Sequence, residues 1–107
     1  MKKIILGTVQ FGLNYGINNN VGRTSFENVL KILNFSYDNG IRYLDTAEAY
    51  GDSHERIGKF HSLHKKKTFK IITKFCLNRD DLPNNFIKRV NQNIETLEVK
   101  NIYCYMF

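Results

Sequence analysis

Three polar residues of this sequence stand where short β-branched runs end: Asp45 in Tyr43-Leu44-Asp45-Thr46-Ala47, Tyr50 just beyond it, and Lys74 in Ile71-Ile72-Thr73-Lys74-Phe75. Taken singly, each has an ordinary reading: Asp45 as a turn or helix-cap residue, Tyr50 as a half-buried aromatic, Lys74 as a surface lysine whose stem lies along apolar neighbours. Together they make a proton donor of the kind carbonyl reduction needs. A phenol titrates at about 10 in water, so donation near neutrality is easier when a cation stabilises the phenolate. Lys74 can supply that cation, and Asp45 can offset the cost of holding an ammonium away from water.

For the three to meet, their runs must be neighbouring strands of one sheet. The chain alternates β-branched runs with amphipathic stretches in the rhythm β-α-β-α-β-α-β, without Pro-rich, Ser-rich or low-complexity tracts. Strands are expected at Ile4 to Val9, Ile41 to Thr46, Phe69 to Phe75 and Ile102 to Phe107. A loop rich in Gly and Asn follows the first strand. The first helix begins at Ser25 with Asn28 three residues on, carries Phe26, Val29, Leu30, Ile32, Leu33 and Tyr37 on one side, and ends at Asn39-Gly40. A short second helix, capped by Ser53 or Asp52, carries Ile57, Phe60 and Leu63. A third runs from Pro83-Asn84 to Leu97, with Phe86, Ile87, Val90, Ile94 and Leu97 on one face.

This alternation predicts an α/β fold with a parallel sheet, because parallel neighbours require a crossover connection. A doubly wound nucleotide-binding sheet would be favoured by a Gly-x-Gly-x-x-Gly turn after the first strand. Gly7, Gly12 and Gly16 do not have that spacing, which favours a barrel. A parallel barrel places its active site at the C-terminal ends of its strands, where Asp45, Tyr50 and Lys74 all fall.

At this point the segments resemble a known family. Asp45-Thr-Ala-Glu-Ala-Tyr50-Gly-Asp-Ser-His-Glu-Arg-Ile-Gly58 is similar to the aldo/keto reductase signature, in which an Asp-Thr-Ala strand end precedes a Tyr-Gly turn and a Glu-x-x-Ile/Leu-Gly helix. Leu6-Gly-Thr-Val-Gln-Phe-Gly12 resembles the family's first strand, and Ile72-Thr-Lys74 the strand that carries its lysine. The resemblance implies a partial (β/α)8 barrel, comprising its first four strands and three helices. It also implies that Tyr50 donates a proton to the carbonyl of a small-molecule aldehyde, ketone or sugar while NADPH or NADH delivers hydride, with Lys74 and Asp45 tuning the tyrosine. By the same resemblance Gly7, Thr8, Val9 and Asp45 line the pocket beside the nicotinamide ribose.

Two departures stand out. His54 separates Ser53 from Glu55 where the family pattern has Ser-Glu, and is expected to alter only the start of the second helix. Phe107 stands where the family's catalytic histidine is expected to follow, so residues 1–107 are expected to form a truncated N-terminal part of the domain, lacking turnover alone and prone to self-association through open barrel edges.

The remaining features exclude more than they suggest. The 107 residues allow one domain, and 42% hydrophobic with 13% aromatic residues is a folding composition. The net charge of +6 is spread along the chain except at Lys65-Lys66-Lys67, and no reader motif accompanies it, so no nucleic-acid partner is expected. The apolar run Ile4-Ile5-Leu6 is too short for a leader, and no stretch approaches the roughly 20 apolar residues of a membrane span, so a cytoplasmic protein is expected. His54, His61 and His64 can share one side of the second helix, and His61 and His64 are spaced like a metal pair, but the three read better as a solvated helix face beside the lysine loop, and no metal site is expected. Cys104 reads as a packing residue of the last strand.

Overall fold

The computed structural model describes residues 3–13, 22–76 and 85–106. The expected Asn-rich loop at 14–20, the Asn78–Asp81 turn, the Pro83 helix start and Phe107 lie outside them. Within them β1 (Ile5–Gly7), β2 (Tyr43–Asp45), β3 (Lys70–Lys74) and β4 (Cys104–Met106) form one sheet in the order β1-β2-β3-β4. All three pairings are parallel. This is the expected α/β alternation, and sequential parallel strands with helices between them are the beginning of a (β/α) barrel.

Among the described residues four helices lie between the strands, one more than the sequence suggested. The extra one is α1 (Val9–Gly12), a single turn where the sequence pattern runs the first strand on to Val9. The chain leaves the sheet at Thr8, whose N–H donates to the Asp45 carbonyl at 3.0 Å, and Phe11 is then buried under the helix layer. Helix α2 (Phe26–Asp38) starts as expected: the Ser25 side chain accepts the N–H of Asn28 at 3.2 Å. Helices α3 (Ser53–Leu63) and α4 (Phe86–Leu97) follow.

The core lies between the sheet and the helices. Side chains alternate along a strand, and the register puts Leu6, Leu44 and Ile71 side by side on one face. They pack with Val29 and Leu33 of α2, Ile57 and Phe60 of α3, Leu97 of α4, and Phe69. The same register puts Ile5, Gly7, Tyr43, Asp45, Ile72, Lys74, Cys104 and Met106 on the opposite face, which none of the described helices covers. Several stripe residues fall outside the core: Leu63 and Ile87 are exposed, and Phe26 and Ile32 partly so, because the helices meet the sheet and each other along narrower faces than the sequence pattern spans.

Helix α3 also corrects the reading of its histidines as a solvated face. His54 and His61 are buried, because α4 packs directly over α3; a Cβ at Gly58 would stand 1.9 Å from the carbonyl oxygen of Thr96. The imidazole of His54 bonds the Thr73 hydroxyl at 2.8 Å through Nε2. The Nε2 of His61 accepts the N–H of Phe69 at 3.1 Å, which leaves Nδ1 as the protonated nitrogen donating to the Leu97 carbonyl at 2.7 Å. His61 thus ties α3, α4 and the start of β3 together.

Candidate active site

Asp45 and Lys74 are brought together as their strand positions require. Both lie on the uncovered face, and the Lys74 ammonium donates to Asp45 Oδ1 at 2.7 Å and to the Thr46 carbonyl at 2.9 Å. The side chains are 30% and 38% exposed, so the pair is reachable from the open side of the sheet. Tyr50 joins them from the segment after β2, with the Lys74 ammonium 5.1 Å from the centre of its ring. Burial works against the charge of Lys74. The hydrogen bond and charge of Asp45, with a smaller contribution from Tyr50, outweigh it and hold Lys74 above the ordinary lysine value. Lys74 is therefore a firm cation beside a phenol.

Backbone geometry fixes the segment between Asp45 and Tyr50. Thr46 N–H donates to the Ile72 carbonyl at 2.8 Å and Glu48 N–H to that of Lys74 at 3.1 Å, which carries the parallel ladder past the end of β2. Tyr50 N–H then donates to Ala47 at 3.1 Å, closing a turn. Gly51 follows at φ 55°, a left-handed conformation suited to glycine.

Behind the strand ends lies a buried hydroxyl cluster. Thr8 Oγ1 donates to the Asp45 carbonyl at 3.0 Å, and Ser53 Oγ lies 3.0 Å from both Thr8 Oγ1 and Thr46 Oγ1. Thr8, Thr46 and Ser53 are almost wholly buried, so these bonds are short of competitors and hold β1, β2 and the start of α3 in fixed relation. The hydroxyl of Thr8 is engaged here. Gly7 faces the open side, with nothing within 4 Å of where a Cβ would stand, and Val9 is half-buried in α1.

Gly7 and Asp45 line a hollow of about 560 Å³ with Ile5, Ile72, Cys104 and Met106. It is apolar apart from the carboxylate, as small-molecule sites generally are apart from a few placed polar groups. Among the described residues no group of His, Cys, Asp and Glu is arranged to hold a metal ion, and no helix is long and apolar enough to cross a membrane.

The aldo/keto reductase family model matches residues 3–107. The chain belongs to the aldo/keto reductase family. Comparison with curated proteins gives no match. Among solved structures, an aldo-keto reductase from Pseudomonas aeruginosa superposes with a TM-score of 0.70 at 28% identity, over 92% of this chain and 39% of that one. A thermostable aldo-keto reductase in complex with the inhibitor epalrestat shares 23% identity over 94% of this chain and 36% of its own, with a TM-score of 0.64. A 2,5-diketo-D-gluconic acid reductase B shares 22% identity over 92% of this chain and 30% of its own, with a TM-score of 0.60. The aldo/keto reductase chain described here therefore spans well under half the length of each, and its four strands correspond to part of their barrels.

Sequence reasoning singled out Asp45, Tyr50 and Lys74 but passed over Glu48 and Ser53. Both lie within the signature segment. In the sequence Ser53 reads as a helix cap and as the serine of the Ser-Glu pattern, whereas its hydroxyl bridges two threonines, and Glu48 gives no signal beyond being a carboxylate near the other three.

Proposed function

We propose that this chain carries the proton-donating part of a carbonyl reductase that uses NADPH or NADH, with Tyr50 as general acid and Lys74 and Asp45 as its electrostatic support. The observation that carries this reading is the 2.7 Å bond from Lys74 to Asp45 with the same ammonium 5.1 Å from the Tyr50 ring. When Tyr50 gives its proton to a carbonyl oxygen, negative charge develops on the phenol oxygen, and a fixed ammonium beside it lowers the energy of that state. Asp45 keeps Lys74 charged and aimed, so little reorganisation is needed at the moment of transfer.

A bound reduced nicotinamide supplies hydride to the carbonyl carbon. The residues present suit its ring: Gly7 leaves room, Asp45 offers acceptors to ribose hydroxyls, and the remaining lining is apolar. Gly7, Thr8, Val9 and Asp45 are the proposed contacts, with Thr8 acting through the Asp45 backbone that it holds. The proposed substrates are small aldehydes, ketones or open-chain sugars. A reducing cytoplasm is the proposed setting, consistent with Cys76 and Cys104 both being free.

The test is nicotinamide-dependent carbonyl reduction by this segment within a complete eight-stranded barrel, with and without Tyr50→Phe. Loss of a positioned general acid is expected to lower kcat by about 10²–10⁴-fold. Equal rates in the two proteins reject Tyr50 as the acid.

The uncovered sheet face favours a second reading, self-association. Ile4, Ile5, Tyr103 and Met106 are exposed on or beside β1 and β4, which have no outer neighbour among the described strands. Apolar surface and unpaired strand edges of this kind recruit further copies. Sedimentation of the 107-residue chain over a range of concentrations is expected to show association; a monomer throughout discards the reading.

A further inference from the structure

Glu48 lies two residues before Tyr50, and its side chain is only 15% exposed. Its Oε1 accepts the N–H of Cys76 at 2.7 Å and the Arg89 guanidinium at 2.5 Å, and its Oε2 accepts the amide of Asn93 at 3.0 Å. Two elements, the exit of β3 and helix α4, thus converge on one carboxylate of the loop after β2. Arg89 also donates to the Cys76 carbonyl at 2.8 Å, and Asn93 also donates to the Tyr105 hydroxyl. Among the described residues Arg89 Nη1 is buried without a hydrogen-bond partner, and Glu48 is the carboxylate that pairs with the guanidinium.

The place of these bonds in the chain gives them a consequence for the site. Glu48 N–H is the last backbone rung between this segment and β3, and it lands on the carbonyl of Lys74 itself. The carboxylate then reaches Cys76, the next rung along, after the backbone has begun its turn towards Tyr50. Tyr50 is therefore registered against Lys74 by Glu48 from one side and by the tight approach of Gly12 from the other. A neutral amide at this position could still accept from Cys76, but it would have one acceptor oxygen in place of two and an NH₂ group facing Arg89 and Asn93.

We propose that Glu48 is a positioning residue whose carboxylate, clamped by Cys76, Arg89 and Asn93, sets the Tyr50 phenol against the Lys74 ammonium. This deepens the reading of the site given above and rests on it for the chemistry, while the geometry can be tested without turnover. The Tyr50 ring, 5.1 Å from the Lys74 ammonium, is expected to displace the NMR resonances of the Lys74 ε-methylene, and comparison with Tyr50→Leu measures that displacement in the 107-residue chain labelled with ¹³C-lysine, at a concentration where sedimentation shows one species. Glu48→Gln and Glu48→Ala are expected to lose more than half of it. Leu33→Ala, a core lesion in α2, which gives Glu48 no donor, is expected to leave it unchanged.

A folded Glu48 variant whose Lys74 resonance stays at the wild-type position overturns the proposal. So does loss of the fold in both Glu48 variants, which would make the carboxylate a stability residue. Because no reductase assay enters this experiment, failure of the proposed reaction and failure of the positioning role are read separately.

Discussion

The carbonyl oxygen of Tyr50 occupies the space where a side chain at Gly12 would begin. A Cβ built on Gly12 stands 1.7 Å from that oxygen, and one on Gly51 stands 2.2 Å from the oxygen of Gly12. The α1 turn and the Tyr50 turn therefore touch backbone to backbone, which brings the proposed acid close to the end of β1.

Gly12→Ala should accordingly push the two turns apart. Backbone carbonyls cannot rotate away as a flexible side chain would, so a cost of about 1–3 kcal/mol from overpacking is expected, read as a lower urea midpoint. Gly7→Ala, where nothing lies within 4 Å, serves as the comparison and should leave the midpoint close to that of the parent. Equal effects at the two glycines would contradict the close approach.

Acid should weaken the packing of α3. Burial holds both His54 and His61 below the ordinary histidine value of 6.5, outweighing the opposing pull of Asn93, Glu48 and Glu55 on His54 and of Leu97 and Glu98 on His61. The unfolded chain then binds protons more readily than the folded one. Stability is fully present above 6.5 and is lost as pH falls from there through the lowered folded values. Urea midpoints measured from pH 7.5 downwards should fall, and His61→Gln, which removes one titrating ring, should flatten the slope; a slope unchanged by that substitution would exclude His61 as its source.

Alkali tests the other charged pair with the opposite sign. Lys74 is held above 10.5, so the folded state keeps its proton longer than the unfolded state. The stabilisation from the Asp45 bond is complete below 10.5 and disappears as pH rises through the raised folded value. Titration of Lys74 by ¹³C NMR should show the raised midpoint in the parent and a lower one in Asp45→Asn, where burial acts with less opposition. A midpoint unmoved by that substitution would mean that Asp45 does not hold the ammonium.

Much of this arrangement was legible in the residues. Alternating β-branched and amphipathic runs dictated parallel strands joined by helices, because no short connection can reverse the chain between parallel neighbours. The positions of Asp45 and Lys74 at adjacent strand ends dictated that they would meet, since parallel register leaves their side chains on the same face.

Tertiary structure decided what depends on the packing of separate elements. Val9 carries a β-branched side chain suited to a strand, yet it turns into α1 because the chain leaves the sheet at Thr8. His54 and His61 carried polar side chains on a helix that looked solvated until α4 covered them. Glu48 was one acid among ten in the sequence, and its three donors come from residues 28, 41 and 45 positions away. Local pattern fixes the period and order of the elements; which polar atoms lose their water is settled only when distant segments close over them.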